Sequence, residues 1–209
     1  MLAEKHVTRC KASEFRRTFS KGSAKAVVIS SALAALLLAT GPVPSWAQGS
    51  GSSPQSAATQ LSPVDYNFVA QANLGAPFQV DSGRVAEKGA TTAEIRDYAH
   101  LMVVTHIPVV DALNRILSNK NIEAPANTLL HGAYTTMISS LKAERGAVLD
   151  RDYVEGQVDY QKGNAALFRN EIENGSDSAL KDFARATLPK IVDHLDRALK
   201  LAAEMTASK

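Results

Sequence analysis

Thr92-Ala93-Glu94-Ile95-Arg96-Asp97-Tyr98-Ala99-His100-Leu101-Met102-Val103-Val104-Thr105-His106 is the stretch that decides the fold. Ile95, Tyr98, Ala99, Met102, Val103 and His106 recur at the spacing of one face of an α-helix. Val109, Val110, Leu113, Ile116 and Leu117 extend the pattern, so a helix is expected from about Thr92 to Lys120. In front of it, Thr91-Thr92-Ala93-Glu94 matches a capping box, in which the Thr oxygen and the Glu carboxylate each satisfy a backbone donor of the first turn. Pro108 lacks an N–H and crowds the preceding turn, and it is expected to bend this helix close to His106.

The same texture extends in both directions. Ser62-Pro63 reads as a helix start, because Ser can cap a free backbone N–H and Pro has none to leave orphaned. Phe68, Val69, Ala72 and Leu74 follow at helical spacing, and Pro77 is expected to break or kink the chain before Phe78 and Val80. Towards the C-terminus, segments from about Ala126 to Ala143 and from about Asp150 to Asn174 carry apolar residues at helical steps, and Gly175 is expected to end the second of them. A last segment begins near Ser176-Asp177 and carries Leu180, Phe183, Leu188, Ile191, Leu195, Leu199 and Leu201. Strand-like alternation is not sustained beyond a few residues. The expected fold is all-α: an antiparallel four-helix bundle over residues 63–205, with an extra short N-terminal helix.

Residues 1–47 have the parts of a secretory signal peptide: a basic stretch, an apolar stretch and small residues at a cleavage point. The apolar part, Ala26 to Ala39, has 14 residues, against the roughly 18 or more of a membrane-spanning helix. Gly41, Pro42 and Pro44 follow, and Ser45-Trp46-Ala47 fits cleavage between Ala47 and Gln48. Retention of the leader would instead leave an N-terminal membrane anchor. Arg16 and Arg17, with Phe19 and Lys21 behind them, resemble the core of a twin-arginine export signal, although Phe15 stands where Ser or Thr is usual. A periplasmic or other extracytoplasmic location is expected. Residues 48–62, rich in Gly, Ser and Gln, read as a flexible linker.

Removing the leader changes the charge and the chemistry. Its seven basic and two acidic residues, taken from totals of 23 and 21, leave 16 and 19, a net charge of about −3. That balance disfavours nucleic acid as a partner, which calls for a basic face. Cys10 is the one cysteine and lies in the leader, so the mature chain would have no disulfide, thiolate ligand or thiol nucleophile.

Three blocks carry a family resemblance: the stretch quoted at the outset, Tyr153-Val154-Glu155-Gly156-Gln157-Val158-Asp159-Tyr160, and Leu188-Pro189-Lys190-Ile191-Val192-Asp193-His194-Leu195. Together they resemble a bacterial family of exported, ferritin-like bundles named only as domain of unknown function 4142 (DUF4142). The resemblance covers roughly Pro63 to Ala203, and the Leu-Pro-x-x-x-x-His block is its most specific element. It implies the bundle fold and an envelope location, without a settled activity. Two positions depart from what the resemblance implies: Tyr160 stands where members commonly have His, and Gln79 where they commonly have Glu.

A di-iron site needs Glu-x-x-His on two of its helices. Val103 and Ile191 stand three residues before His106 and His194, so that motif is missing. A single metal ion held by His106 and His194, with Asp81, Asp159 or Asp193 adding an oxygen, is the surviving cofactor reading. The competing reading makes both histidines structural, hydrogen-bonded at the core edge. Met102 reads as core filler, and His100 and His131 as surface residues. No Gly-x-Ser-x-Gly turn or phosphate-cradling glycine motif is present. The expected function is therefore a non-catalytic envelope protein that contacts another envelope or periplasmic protein, with a metal-binding or redox bundle as the alternative.

Overall fold

The structure, a computed structural model, describes residues 61–207. The leader with Arg16, Arg17, Phe19 and Lys21, the junction of Ala47 and Gln48, Cys10 and nearly all of the linker lie outside the described residues. Five helices follow one another: α1 (Pro63–Gly89), α2 (Ala93–Asn119), α3 (Thr128–Ala143), α4 (Gly146–Asn174) and α5 (Ser178–Ala207). No strand occurs among the described residues.

The helix ends follow from their capping residues, and in places differ from the sequence expectation. Ser62 caps α1 and Asp65 returns the bond to the Ser62 N–H at 3.2 Å, so the capping box stands here. At α2 the cap is Thr92, which accepts from the Ile95 N–H at 3.3 Å. Thr91 is occupied elsewhere, donating to Asp150 at the start of α4, so the expected box with Glu94 does not form. α2 closes with Asn121 in the left-handed region at φ 53°, while the N–H groups of Asn121 and Ile122 reach back to the Ser118 and Leu117 carbonyls. Asp177 starts α5 by accepting from the Ala179 and Leu180 N–H groups.

Pro77 does not break α1, which runs through it for 27 residues, so the first helix is not the short one; α3, with 16 residues, is. α2 and α5 likewise run through Pro108 and Pro189. All three prolines are exposed. Each therefore leaves its unpaired carbonyl on the side where water can satisfy it.

α1, α2, α5 and α4 form a ring of mutually packed neighbours, while α3 lies against α1 and α4. The loop before α2 touches the start of α4 through Thr91 and Asp150. At the opposite end, Asp65 accepts from the Ser176 and Asp177 N–H groups, and Lys120 pairs with Asp177 at 2.8 Å. Each helix therefore runs antiparallel to its neighbours in the ring, and α3 carries the chain across from α2 to the diagonally opposed α4. Tyr134 fixes α3 by stacking on Phe78 at 4.3 Å between ring centres, with Tyr160 beside both.

Candidate functional site

The interior is apolar at both ends and polar in the middle. At one end, Ala86, Ile95, Met102, Leu149, Tyr153 and Leu201 pack together. At the other, Phe68, Leu113, Leu117, Phe168, Leu180 and Ile191 do. Between these clusters along the chain lie Gln79 on α1, His106 on α2, Gln161 on α4 and His194 on α5, each at most 4% exposed. The register agrees: a methyl on Gly83 would lie 2.8 Å from the Ala99 carbonyl oxygen, so α1 and α2 touch at that turn. Gln79, one turn earlier on the antiparallel α1, accordingly falls level with the turn that ends in His106.

Hydrogen bonds settle the tautomers of the two histidines. His106 Nδ1 lies 2.9 Å from the Met102 carbonyl, which can only accept, so the proton is on Nδ1 and Nε2 keeps its lone pair. The Thr105 hydroxyl donates to the Leu101 carbonyl at 2.6 Å, so towards His194 Nε2, at 3.4 Å, it can only accept. That places the His194 proton on Nε2 and leaves a lone pair on Nδ1, which is buried and has no partner among the described residues. The two ring centres are 5.2 Å apart. Burial brings the His106 pKa down to about 4, with the Lys190 cation adding to the effect. Burial and then the neighbouring His106 do the same to His194, also to about 4. Both rings are neutral near pH 7.

The glutamines extend this polar layer. Gln161 Nε2 reaches Met102 Sδ at 3.5 Å and Gln157 Oε1 at 3.4 Å. The Tyr98 hydroxyl lies 3.4 Å from Gln157 Oε1 and 3.2 Å from the His194 carbonyl. Gln161 Oε1 and both polar atoms of the Gln79 amide have no partner among the described residues. Leaving such groups buried and unmatched costs about 1–3 kcal/mol each, so their concentration at one level calls for an occupant or a role.

Of the residues singled out in the sequence, His106 and His194 are brought together. Asp81 is exposed and pairs with Arg84 at 3.6 Å, and Asp159 is half-buried. Among the described residues, no three His, Cys, Asp or Glu side chains converge. Tyr160 turns away from the layer to meet Gly75 and Tyr134, while its neighbour Gln161 faces in. Sequence reasoning missed Gln157, Gln161 and Tyr98 as polar core groups; the available signal was polar residues at otherwise apolar helical positions. His100, as expected, is exposed, beside Glu87 at 2.9 Å.

A second buried polar cluster closes the end where α1 starts. Asp65 accepts from Ser62, Ser176 and Asp177. Burial pushes its carboxyl up, but these bonds outweigh burial and hold it below the ordinary carboxylate range. Glu171 lies beside it, and no protein donor reaches either of its oxygens among the described residues. Burial first and then the Asp65 carboxylate push its acid up to about 7, so it is the protonated partner that donates to Asp65. On the outside, an open groove of about 420 Å³ runs between α2 and α5, lined by Tyr98, Leu101, Val104, Arg197 and Lys200 among others.

No curated protein and no solved structure matches the chain. The family model for a domain of unknown function, DUF4142, matches residues 50–201, which takes in all of α1 to α4 and most of α5. With that span covering well over half of the chain, this protein, all-helical in its described residues, belongs to the DUF4142 family.

Proposed function

We propose that the chain is an exported envelope protein that works by binding rather than by catalysis, and that His106 and His194 hold a single metal ion in its central layer. The carrying observation is the pair of neutral imidazoles 5.2 Å apart on adjacent helices, each with a lone pair uncommitted. Metal–nitrogen bonds of about 2.0–2.1 Å at a tetrahedral or wider angle place two ring centres roughly 5–6 Å apart, which matches. Support for export comes from the leader and its Ala47/Gln48 junction. A ferritin-like reading is supported by four long helices joined by one crossover through α3. Rings only 3–4% exposed favour a held ion over a substrate that must enter and leave.

Elemental analysis of protein isolated from the periplasm, with sequencing of its N-terminus, tests this reading. The expected result is a chain beginning at Gln48 with close to one metal per chain, lost in His106→Gln and His194→Gln. Metal-free wild-type protein, or the same metal content in both variants, would refute the site.

One observation favours partner contact as a second mode of action. Val104 on α2 lines the outer groove and is 46% exposed, and Ile107, three residues further along the helix, is 42% exposed. A photo-crosslinker at Ile107 is expected to capture another envelope protein in cells, whereas one at the exposed Glu173 on α4 is not. Equal capture at both positions would remove this reading.

A further inference from the structure

The chemistry of the central layer also constrains which ion it takes. Every donor there is uncharged: His106 Nε2, His194 Nδ1, the thioether of Met102 one turn from His106, and the amides of Gln79 and Gln161. Among the described residues, no third carboxylate or imidazole joins the pair. A doubly charged ion sealed in this setting would keep most of its charge uncompensated, which a buried site tolerates poorly. A singly charged ion carries half that burden. Among singly charged ions, imidazole nitrogen with thioether sulfur selects the soft ones.

We infer that the central layer is a site for a soft monovalent cation of the Cu(I) class, bound by His106 and His194 with Met102 Sδ as the third donor. This rests on the two-histidine reading above. Met102 closes the apolar cluster where it meets the polar layer, one turn from His106, and Gln161 points its amide N–H at the buried sulfur. Gln161 in turn is held by Gln157, so the thioether sits within a hydrogen-bonded frame that reaches His194 through Tyr98.

The test is an anaerobic titration of the full chain with Cu(I) against a chromophoric chelator, in parallel with Ag(I) as a redox-inert stand-in and with Zn(II). The expected result is one equivalent of Cu(I) or Ag(I) bound and no Zn(II) at the same chelator strength. His106→Gln and His194→Gln should each weaken Cu(I) by at least roughly tenfold, and Met102→Leu, which keeps the core volume, by a smaller factor. Thermal unfolding of each variant without metal checks that it is folded, and the wild-type titration decides even if a variant is not. Binding of Zn(II) that depends on the histidines, with no preference for Cu(I), overturns the monovalent assignment and leaves the two-histidine reading standing. Binding of neither ion overturns both.

Discussion

Asp150 on α4 grips Thr91 with both carboxylate oxygens, one on the backbone N–H at 3.0 Å and the other on the hydroxyl. The bond spans 59 residues of sequence and ties the turn between α1 and α2 to the start of α4. Asp150 is buried, and both of these bonds to it come from Thr91. Asp150→Asn is expected to lower stability by about 1–2 kcal/mol. Urea unfolding that gives the wild-type midpoint would contradict this.

Asp65 does the equivalent work at the other end, accepting from Ser62, Ser176 and Asp177 together. Asp65→Ala leaves three backbone donors unmatched, the N–H groups of Ser62, Ser176 and Asp177, for an expected loss of about 2–4 kcal/mol. Because its folded pKa is below the ordinary 3.8, its contribution is present above that value and fades as the pH falls through the folded pKa. An acid titration of stability in wild type and variant should therefore converge at low pH. Curves that stay parallel would rule the assignment out.

Glu171 has the opposite sign. Its folded pKa of about 7 lies above the ordinary 4.5, so the native state holds an extra proton between these values. Its contribution is present below the lower value and lost as the pH rises to the upper one. Glu171→Gln keeps the shape without the ionisation, and should exceed wild type in stability above about pH 7 by on the order of 1–3 kcal/mol. A difference that does not change with pH would sink the acid-pair description.

The histidine pair loses stability on acidification. Folded values of about 4 against an ordinary 6.5 mean that the pair's contribution is present above the higher value and lost as the pH falls towards the lower. Glu171→Gln is the right background, since it removes the opposing slope. There, stability should fall by roughly 2–4 kcal/mol across that range, and the added double change His106→Gln/His194→Gln should flatten the curve. A slope that survives the double change would place its origin elsewhere.

Gly75 on α1 faces the Tyr160 hydroxyl so closely that a methyl there would collide with it. Gly75→Ala should cost about 1–3 kcal/mol despite the better helix propensity of Ala. Adding Tyr160→Phe should recover most of the loss, since the collision is with the hydroxyl oxygen. A double-mutant cycle showing simple additivity would disprove the contact.

Much of this architecture was legible in the residues. The apolar spacing of Ile95 to Leu117, the Ser62-Pro63 start and the Gly175 stop carried the helix count, because burial of one face and capping are local rules. Pro77 misled, since a sequence does not say that the proline will face water, where its missing bond can be replaced. Thr91 misled for the opposite reason: a partner on a distant helix, Asp150, outcompeted the local box. His106 and His194 could be picked out as a pair, and Gln79 through the family resemblance, while Gln157 and Gln161 could not, because amides on a helix usually signal its wet side. Asp81 lay on that wet side after all.

The prolonged polar level between two hydrocarbon ends also bears on how the chain reaches its fold. Each of the four long helices contributes at least one buried amide or imidazole to it. Sliding any helix by one turn, about 5.4 Å, would thrust such a group into oil and pull an aliphatic one among the amides. Misaligned stackings that would be nearly isoenergetic in a uniformly greasy bundle are penalised here, so these residues act as an alignment key during assembly.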